Sequence, residues 1–427
     1  MAGVRATGSM TRMLNLLSPE EAWTRIAERL GRCEIETLPI DAARGRVLAG
    51  EVLATLDVPP SDVSAMDGFA IRGAVAAGDE LPIDGRIAAG DRPGARLAPG
   101  AAVRIMTGAP VPEGADRIVP VELTETVSSA PGESRVRFLA ADEGAGRHVR
   151  RRGEIAERGL AILAPGHLVT PGTASQLAAH GIATVAVARA PRVAFLTTGS
   201  EIVDPASEPG PGQIRDSHSA FFRAACAQLG LECRSLGIAA DQLPVLRPKI
   251  EDGLRSDVLL LSGGVSMGEL DLVEGVLGDL GCEVLVDAVA IQPGKPVVAA
   301  RHARGWVFAL PGNPASAMVT FWLFVRPALR RMMGLEDAFW HGAVRARLDA
   351  PLPAAKRRDL FLPAHVRFEA GAVHARPLAP LGSHDVASYA HGTALARVPA
   401  HSAAREAGDD CEILPLVEWP VPKLPLD

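Results

Sequence analysis

Hydrophobic positions change their spacing several times along the chain. Behind Ser18-Pro-Glu-Glu, residues Trp23, Ile26 and Leu30 recur at helical spacing and Gly31 follows, so the pattern predicts a capped amphipathic helix from about Ser18 to Leu30. From Leu53 to about Leu139 the apolar residues come in short runs broken by turn residues, as in DGFAIRG, AAVRIMTGAPVPEGADRIVPVEL and SRVRFLA. That predicts a small β-rich module without a long helix. Mixed character returns from Gly146 to Ala188, with Thr173 to His180 helical and Ala183 to Ala188 extended. From Pro191 to Gly334 the continuous apolar runs RVAFLTTG, DVLLLSGG and WVFALPGNP alternate with helical stretches at Ser219 to Leu229, at GELDLVEGVLGDLG and from Ala315 to about Met333. Strands apolar on both faces and separated by helices predict a doubly wound parallel α/β sheet. Beyond Gly334 the runs GAVRARLDAPL, HVRFEAGAVHARPL, TALARVP and CEILPLVE predict a C-terminal β-barrel or sandwich.

Composition narrows the functions. The 427 residues carry 44 Lys plus Arg against 50 Asp plus Glu, a net charge of −6, which argues against a general nucleic-acid or membrane-surface binder. Any polyanionic ligand must then be met by local basic clusters. Cys33, Cys226, Cys233, Cys282 and Cys411 are scattered without CxxC or zinc-type spacing, as expected of a reduced cytoplasmic protein with unreactive thiols. The N-terminal residues lack the apolar core of a signal peptide, and Val319 to Val325 is too short to span a bilayer. A soluble, cytoplasmic protein is expected.

Ligands of open α/β sheets bind beyond the carboxyl ends of the strands. Three strands here end in small, turn-forming sequence: Thr197-Thr198-Gly199-Ser200-Glu201, Ser262-Gly263-Gly264-Val265-Ser266, and Leu310-Pro311-Gly312-Asn313-Pro314-Ala315-Ser316. One such loop needs glycine merely to turn. Three on one rim point to a phosphate-bearing ligand approached closely by backbone N–H groups. Glu201, Asp216, Asp241 and Asp271 fall near that rim, and carboxylates around phosphate call for a hard cation such as Mg²⁺. Lys295, in the rigid turn Gln292-Pro293-Gly294-Lys295-Pro296, would present a fixed positive charge. Arg150-Arg151-Arg152 and Arg357-Arg358 read, on composition alone, as solvated surface. Asp67, in Ser64-Ala65-Met66-Asp67-Gly68-Phe69-Ala70, reads locally as a turn aspartate.

Taken together and in order, SAMDGFA, RIMTGAPVPEGAD, RRRGE, TTGSE, SGGVSMGELD, QPGKP and LPGNPASA closely resemble the molybdopterin molybdenumtransferase family, which includes bacterial MoeA and the C-terminal domain of gephyrin. The match runs from about Pro19 to Gly334 and continues faintly through Gly382-Ser383-His384. The resemblance implies a homodimer of four-domain subunits. Residues 1–55 and 146–189 would form a helical/β linker domain, 56–145 a small β-rich domain, 190–335 a MogA/MoaB-like molybdopterin-binding α/β domain, and 336–427 a β-barrel. It also implies an activity, the Mg²⁺-dependent insertion of molybdate into adenylylated molybdopterin with release of AMP. A MogA-type adenylylating protein and acceptor molybdoenzymes would be further partners.

Site roles follow by the same resemblance. Asp67 matches the essential aspartate of the family's MDG motif, which there belongs to the partner subunit's site, and Thr107 matches the threonine of MTGA. Glu201, Asp241 and Asp271 match the acidic residues of the pterin-phosphate and metal pocket, Lys295 the basic residue of the PGKP turn, and Arg150 the first arginine of the basic run. Thr198, Gly199, Asp216, Ser262, Gly263, Gly264, Ser266, Pro311, Gly312, Asn313 and Ser316 form the expected substrate cradle, with Ser383 contacting the oxyanion. Three positions depart from the family. Ile155 follows RRRGE where an acidic residue is common, Gln292 stands where some members have lysine, and Asp216-Ser217-His218 replaces a DSN-like sequence. Ile155 and Gln292 keep open a non-catalytic molybdopterin carrier.

Overall fold

The computed structural model describes residues 16–130, 133–142, 144–263, 272–369 and 371–417. Contacts group the chain into two compact units, one drawn from residues 1–36, 45–47 and 188–427, the other from 37–44 and 48–187.

In the larger unit, β1 (Val193–Thr198), β2 (Cys233–Ala239), β3 (Val258–Ser262), β4 (Glu283–Val286), β5 (Val298–His302) and β6 (Gly305–Leu310) form one sheet in the order β2-β1-β3-β6-β5-β4. The first four strands of that order are parallel, as the apolar runs predict. The sheet is not parallel throughout, however: β5 runs antiparallel to both β6 and β4. Only Ala303 and Arg304 separate β5 from β6, and so short a link permits a hairpin but no crossover.

Side-chain alternation along these strands builds two cores. Val193, Phe195, Val258, Leu260, Trp306 and Phe308 face helix α1 (His218–Gln228) and the helix Pro19–Ala27, meeting Phe222, Cys226, Trp23 and Ile26. Their neighbours Ala194, Leu196, Leu259, Leu261, Val307 and Ala309 face the opposite way, onto Leu246 and Ile250 of α2 (Leu243–Gly253) and Val273, Val276 and Leu277 of α3 (Leu272–Asp279). The helix Pro19–Ala27 starts where the sequence predicts, Ser18 and Glu21 exchanging hydrogen bonds of 2.8 and 3.2 Å in a capping box, and ends before Leu30. The periodic reading passes over α2, whose Pro244 and Pro248 interrupt its apolar pattern.

The helix expected from Ala315 to Met333 is interrupted. After α4 (Pro314–Thr320) the backbone makes a π-type turn over Phe321–Val325 before resuming at Arg326–Met332. Pro327 supplies no N–H to the preceding turn, and the five residues of the π turn are all buried.

The remaining described chain of this unit closes a β-barrel rather than a sandwich. Val344–Leu348, Asp359–Glu369, Ala372–Pro377, Ala394–Val398 and Asp410–Pro415 pair in a ring, which the pairing of Asp359–Glu369 with Ala394–Val398 completes. A two-residue strand, Ile291–Gln292, joins the edge through Ile291↔Asp359 and Gln292↔Leu360 and so ties the proline turn to the barrel wall.

In the smaller unit a six-stranded sheet runs in the order Arg117–Pro120, Gly68–Ile71, Ala102–Ile105, Glu80–Ile87, Glu133–Phe138, Thr124–Ala130. Helix Pro171–Ala179, close to the predicted span, packs Leu177 against Leu48, Leu163, Val185 and Val187 in a separate core. All of Gly68–Ile71 is buried, and Gly68 has no room for a side chain, since a Cβ there would stand 2.1 Å from the Val119 carbonyl oxygen.

Candidate active site

Strand register brings the predicted rim together. Thr197 pairs with Ser262 and Ser262 with Leu310, so the loops that follow β1, β3 and β6 open at one edge of the sheet. A cavity of about 290 Å³ lies there, lined among others by Thr198, Gly199, Glu201, Asp241, Ser262, Gly263, Gly312 and Asn313. Thr198 Oγ1 donates to the Ser262 carbonyl at 3.2 Å and so cross-links two of the loops. Gly263 makes that approach possible. Its φ is +95°, and a Cβ would stand 2.5 Å from the Thr198 carbonyl oxygen.

The carboxylates divide into two kinds. Asp241 is held by its backbone N–H, which donates to Ser200 Oγ at 3.2 Å. The residue is exposed overall, yet partial loss of hydration at the cavity wall together with the Glu201 charge pushes its carboxyl above the ordinary carboxylate range. Asp241 and Glu201, two carboxylates on the lining of one small cavity, offer oxygen ligands that fit a hard cation. Asp216 is different. Buried at the start of α1, it accepts from the backbone N–H groups of His218 and Ser219, each at 3.0 Å, and from the Ser219 hydroxyl. Its oxygens are therefore engaged in capping a helix as well as lining the cavity. Gly264, Ser266 and Asp271 lie outside the described residues. Among the described residues no group of three His, Cys, Asp or Glu side chains gathers into a metal-binding cluster.

A second cavity of about 1000 Å³ runs between the sheet rim and the barrel. Pro296, Pro311 and Asn313 line both cavities, which therefore adjoin. Asn313 Nδ2 donates to Ser383 Oγ at 2.8 Å, and Ala315 N–H donates to the Ser383 carbonyl at 3.1 Å, fixing the barrel loop against the start of α4. Ser316 lies in the same wall, while the lining passes through Gly294 and Pro296 on either side of Lys295. The sequence reading misses Arg358. Read as solvated surface, it lines this cavity and donates from Nη2 to Gln292 Oε1 at 3.1 Å, so a guanidinium stands beside the glutamine. The signal lies in the two-residue pairing of Ile291–Gln292 with the barrel edge, which no local pattern reveals.

Asp67 and Thr107 are brought together within the smaller unit. Gly68 pairs with Ile105 on adjacent antiparallel strands, which sets the residue before one strand beside the turn after the other. The Thr107 N–H and hydroxyl both donate to Asp67 Oδ1, each at 2.7 Å. The backbone bond first, then the hydroxyl, hold the exposed Asp67 carboxyl below its usual range. The basic run of this unit is neutralised in place, with Arg150 on Glu154 at 2.9 Å, Arg151 on Asp62 at 2.6 Å and Arg152 on Asp57 at 2.6 Å. Ile155 is exposed. Burial pushes the Cys33, Cys282 and Cys411 thiols up to about 11, in keeping with unreactive cysteines. No helix among the described residues is long and apolar enough to cross a membrane.

These features define a multidomain α/β protein in which a polar cavity at the sheet rim adjoins a larger cavity against the barrel. Family models match the MoeA N-terminal region (domain I and II) over residues 17–181, a probable molybdopterin binding domain over 194–331, and the MoeA C-terminal region (domain IV) over 345–416. A molybdopterin molybdenumtransferase 2 of Mycobacterium tuberculosis is 35% identical over 93% of this chain and 98% of its own length. The molybdopterin molybdenumtransferase of Bacillus subtilis is 31% identical over 94% and 95%. The crystal structure of a molybdopterin biosynthesis MoeA protein from Pyrococcus horikoshii superposes with a TM-score of 0.78 at 31% identity, covering 95% of this chain and all of that one. The chain belongs to the molybdopterin molybdenumtransferase family, a family of enzymes of molybdenum cofactor biosynthesis.

Proposed function

We propose that this enzyme inserts molybdate into adenylylated molybdopterin in a Mg²⁺-dependent reaction. Water cleaves the phosphoanhydride, and AMP leaves with one phosphate while the other stays on molybdopterin. Molybdate loses one oxo group, released as water with the two dithiolene thiol protons, as two Mo–S bonds form. The observation that carries this reading is the junction of the two cavities at Asn313. A small rim with two carboxylates opens there into a larger space walled by proline and leucine, suited to a phosphate at one end and a pterin beside it.

Glu201 and Asp241, with Asp271, would hold Mg²⁺, which when bound neutralises charge on the phosphate oxygens. The Gly263 N–H donates to the Leu310 carbonyl at 3.1 Å, so the Ser262 hydroxyl would contact the same oxygens, and Lys295 would add positive charge. Ser383, anchored by Asn313, together with Gln292 and Arg358, would receive the oxyanion. Asp67 of the partner subunit in a homodimer would orient the attacking water. Its depressed pKa suits a fixed negative charge better than a proton acceptor at neutral pH. A MogA-type protein would supply the adenylylated substrate, molybdoenzymes would accept the product, and a cytoplasmic site suits both exchanges.

The purified protein is expected to release AMP from adenylylated molybdopterin only when Mg²⁺ and molybdate are both present. Tight retention of the pterin with no AMP release would instead favour a carrier.

A further inference from the structure

The family resemblance places no role on His218, yet this side chain is built into the rim. It is the first residue of α1, 6% exposed, with its ring edge-on to Phe222 at 6.1 Å and its backbone N–H donating to Asp216. Its Nδ1 is hydrogen-bonded to Ser262 Oγ, and both residues line the 290 Å³ cavity. A serine hydroxyl has one proton to donate. If Ser262 donates it to an anionic ligand, the Ser262 oxygen must accept from the imidazole, which then carries a proton on Nδ1.

We propose that His218 is a positioning residue that sets the direction of the Ser262 hydrogen bond and couples binding of a phosphate-bearing pterin to protonation of the imidazole. The proposal rests on the functional reading above, which assigns the rim to a phosphate. Without ligand, burial holds His218 below the ordinary imidazole pKa against the opposing pull of Asp216. The other charged groups lining the cavity are Glu201, Asp241 and Arg215. A bound phosphate adds negative charge beside the ring and favours the doubly protonated form, in which Nδ1–H still donates to Ser262. Asparagine can donate the same hydrogen bond but cannot titrate.

Anaerobic titration calorimetry with molybdopterin, from pH 8 to pH 6, tests this on wild type, His218→Asn and His218→Ala. Each variant is first checked for a native melting transition. The expected result is that H218A binds at least about tenfold more weakly than wild type at every pH, and that H218N recovers most of this loss at pH 8. The wild-type to H218N affinity ratio should then rise severalfold by pH 6. Comparison of the two proteins cancels titration of the ligand's own phosphate. A ratio independent of pH, or an H218A protein that binds like wild type, overturns the proposal while leaving the rim as the pterin site. Failure of the wild-type protein to bind molybdopterin at any pH overturns the functional reading itself.

Discussion

Thr107 gives both of its donors to a single oxygen of Asp67, the backbone N–H and the hydroxyl each at 2.7 Å from Oδ1. Oδ2 has no hydrogen-bond partner among the described residues. One oxygen is thus anchored while the other keeps its hydrogen-bonding capacity open. Asp67→Asn should keep the melting temperature, because the side chain is exposed, while lowering turnover about 10²–10³-fold. Thr107→Ala removes the hydroxyl and keeps the backbone bond, so the Asp67 pKa should move up toward about 3.9. Turnover should fall less than in D67N, and the acid limb of the kcat/KM profile should move to higher pH. An unshifted limb would show that Thr107 does not tune Asp67.

Gly263 tests the rim through stability. With φ at +95° and the Thr198 carbonyl 2.5 Å from any added Cβ, Gly263→Ala should destabilise the protein by about 1–3 kcal/mol and weaken phosphate-ligand binding further than that loss explains. Urea unfolding of the variant reads the first effect. A change below about 0.5 kcal/mol would mean that the loops can spread without cost.

The influence of Glu201 on Asp241 should be visible without substrate. Glu201→Gln removes a charge that raises the Asp241 pKa, so the metal-free variant should melt at the same temperature as wild type or above it. Added Mg²⁺ should raise the wild-type melting temperature and raise that of Glu201→Gln or Asp241→Asn much less. Equal Mg²⁺ responses in all three proteins would remove these carboxylates from the metal site.

Acid stability should depend on Asp257. This carboxylate receives Arg189 at 2.8 Å, Arg192 at 3.1 Å and the Arg192 backbone N–H at 2.6 Å. Against the opposing effect of burial, these donors hold its pKa far below the usual carboxylate range. A depressed carboxylate contributes stability that is present above the unfolded pKa of about 3.9 and is lost as pH falls below it. Asp257→Asn should therefore cost about 3 kcal/mol at pH 7. The difference from wild type should shrink as pH falls below about 4, and a constant difference down to pH 3 would contradict the ion-pair account.

Most of the rim was legible in the sequence because it follows from strand ends. Runs such as VAFLTT and VLLLS are buried on both faces, so their polar C-terminal residues had to emerge at one edge, where Thr197, Ser262 and Leu310 stand side by side. What the sequence concealed depends on contacts between distant segments. Arg358 reaches Gln292 only through a two-residue strand pairing, and His218 is buried against Ser262 by the packing of α1, although its own neighbourhood reads as helix start. The hairpin that reverses β5 escaped because its strands carry the same apolar signature as parallel ones. The capping role of Asp216 stays open in the sequence for a simpler reason, since an aspartate before a helix can serve either the helix or a ligand.

Single-turnover stoichiometry tests the central claim most directly. Limiting adenylylated molybdopterin would be mixed with excess enzyme, Mg²⁺ and molybdate, with AMP and pterin-bound molybdenum counted over time. Insertion coupled to cleavage predicts that the two appear together in equal amounts, and that omitting molybdate suppresses both. AMP released without molybdenum incorporation, or molybdenum bound while the phosphoanhydride stays intact, would contradict it.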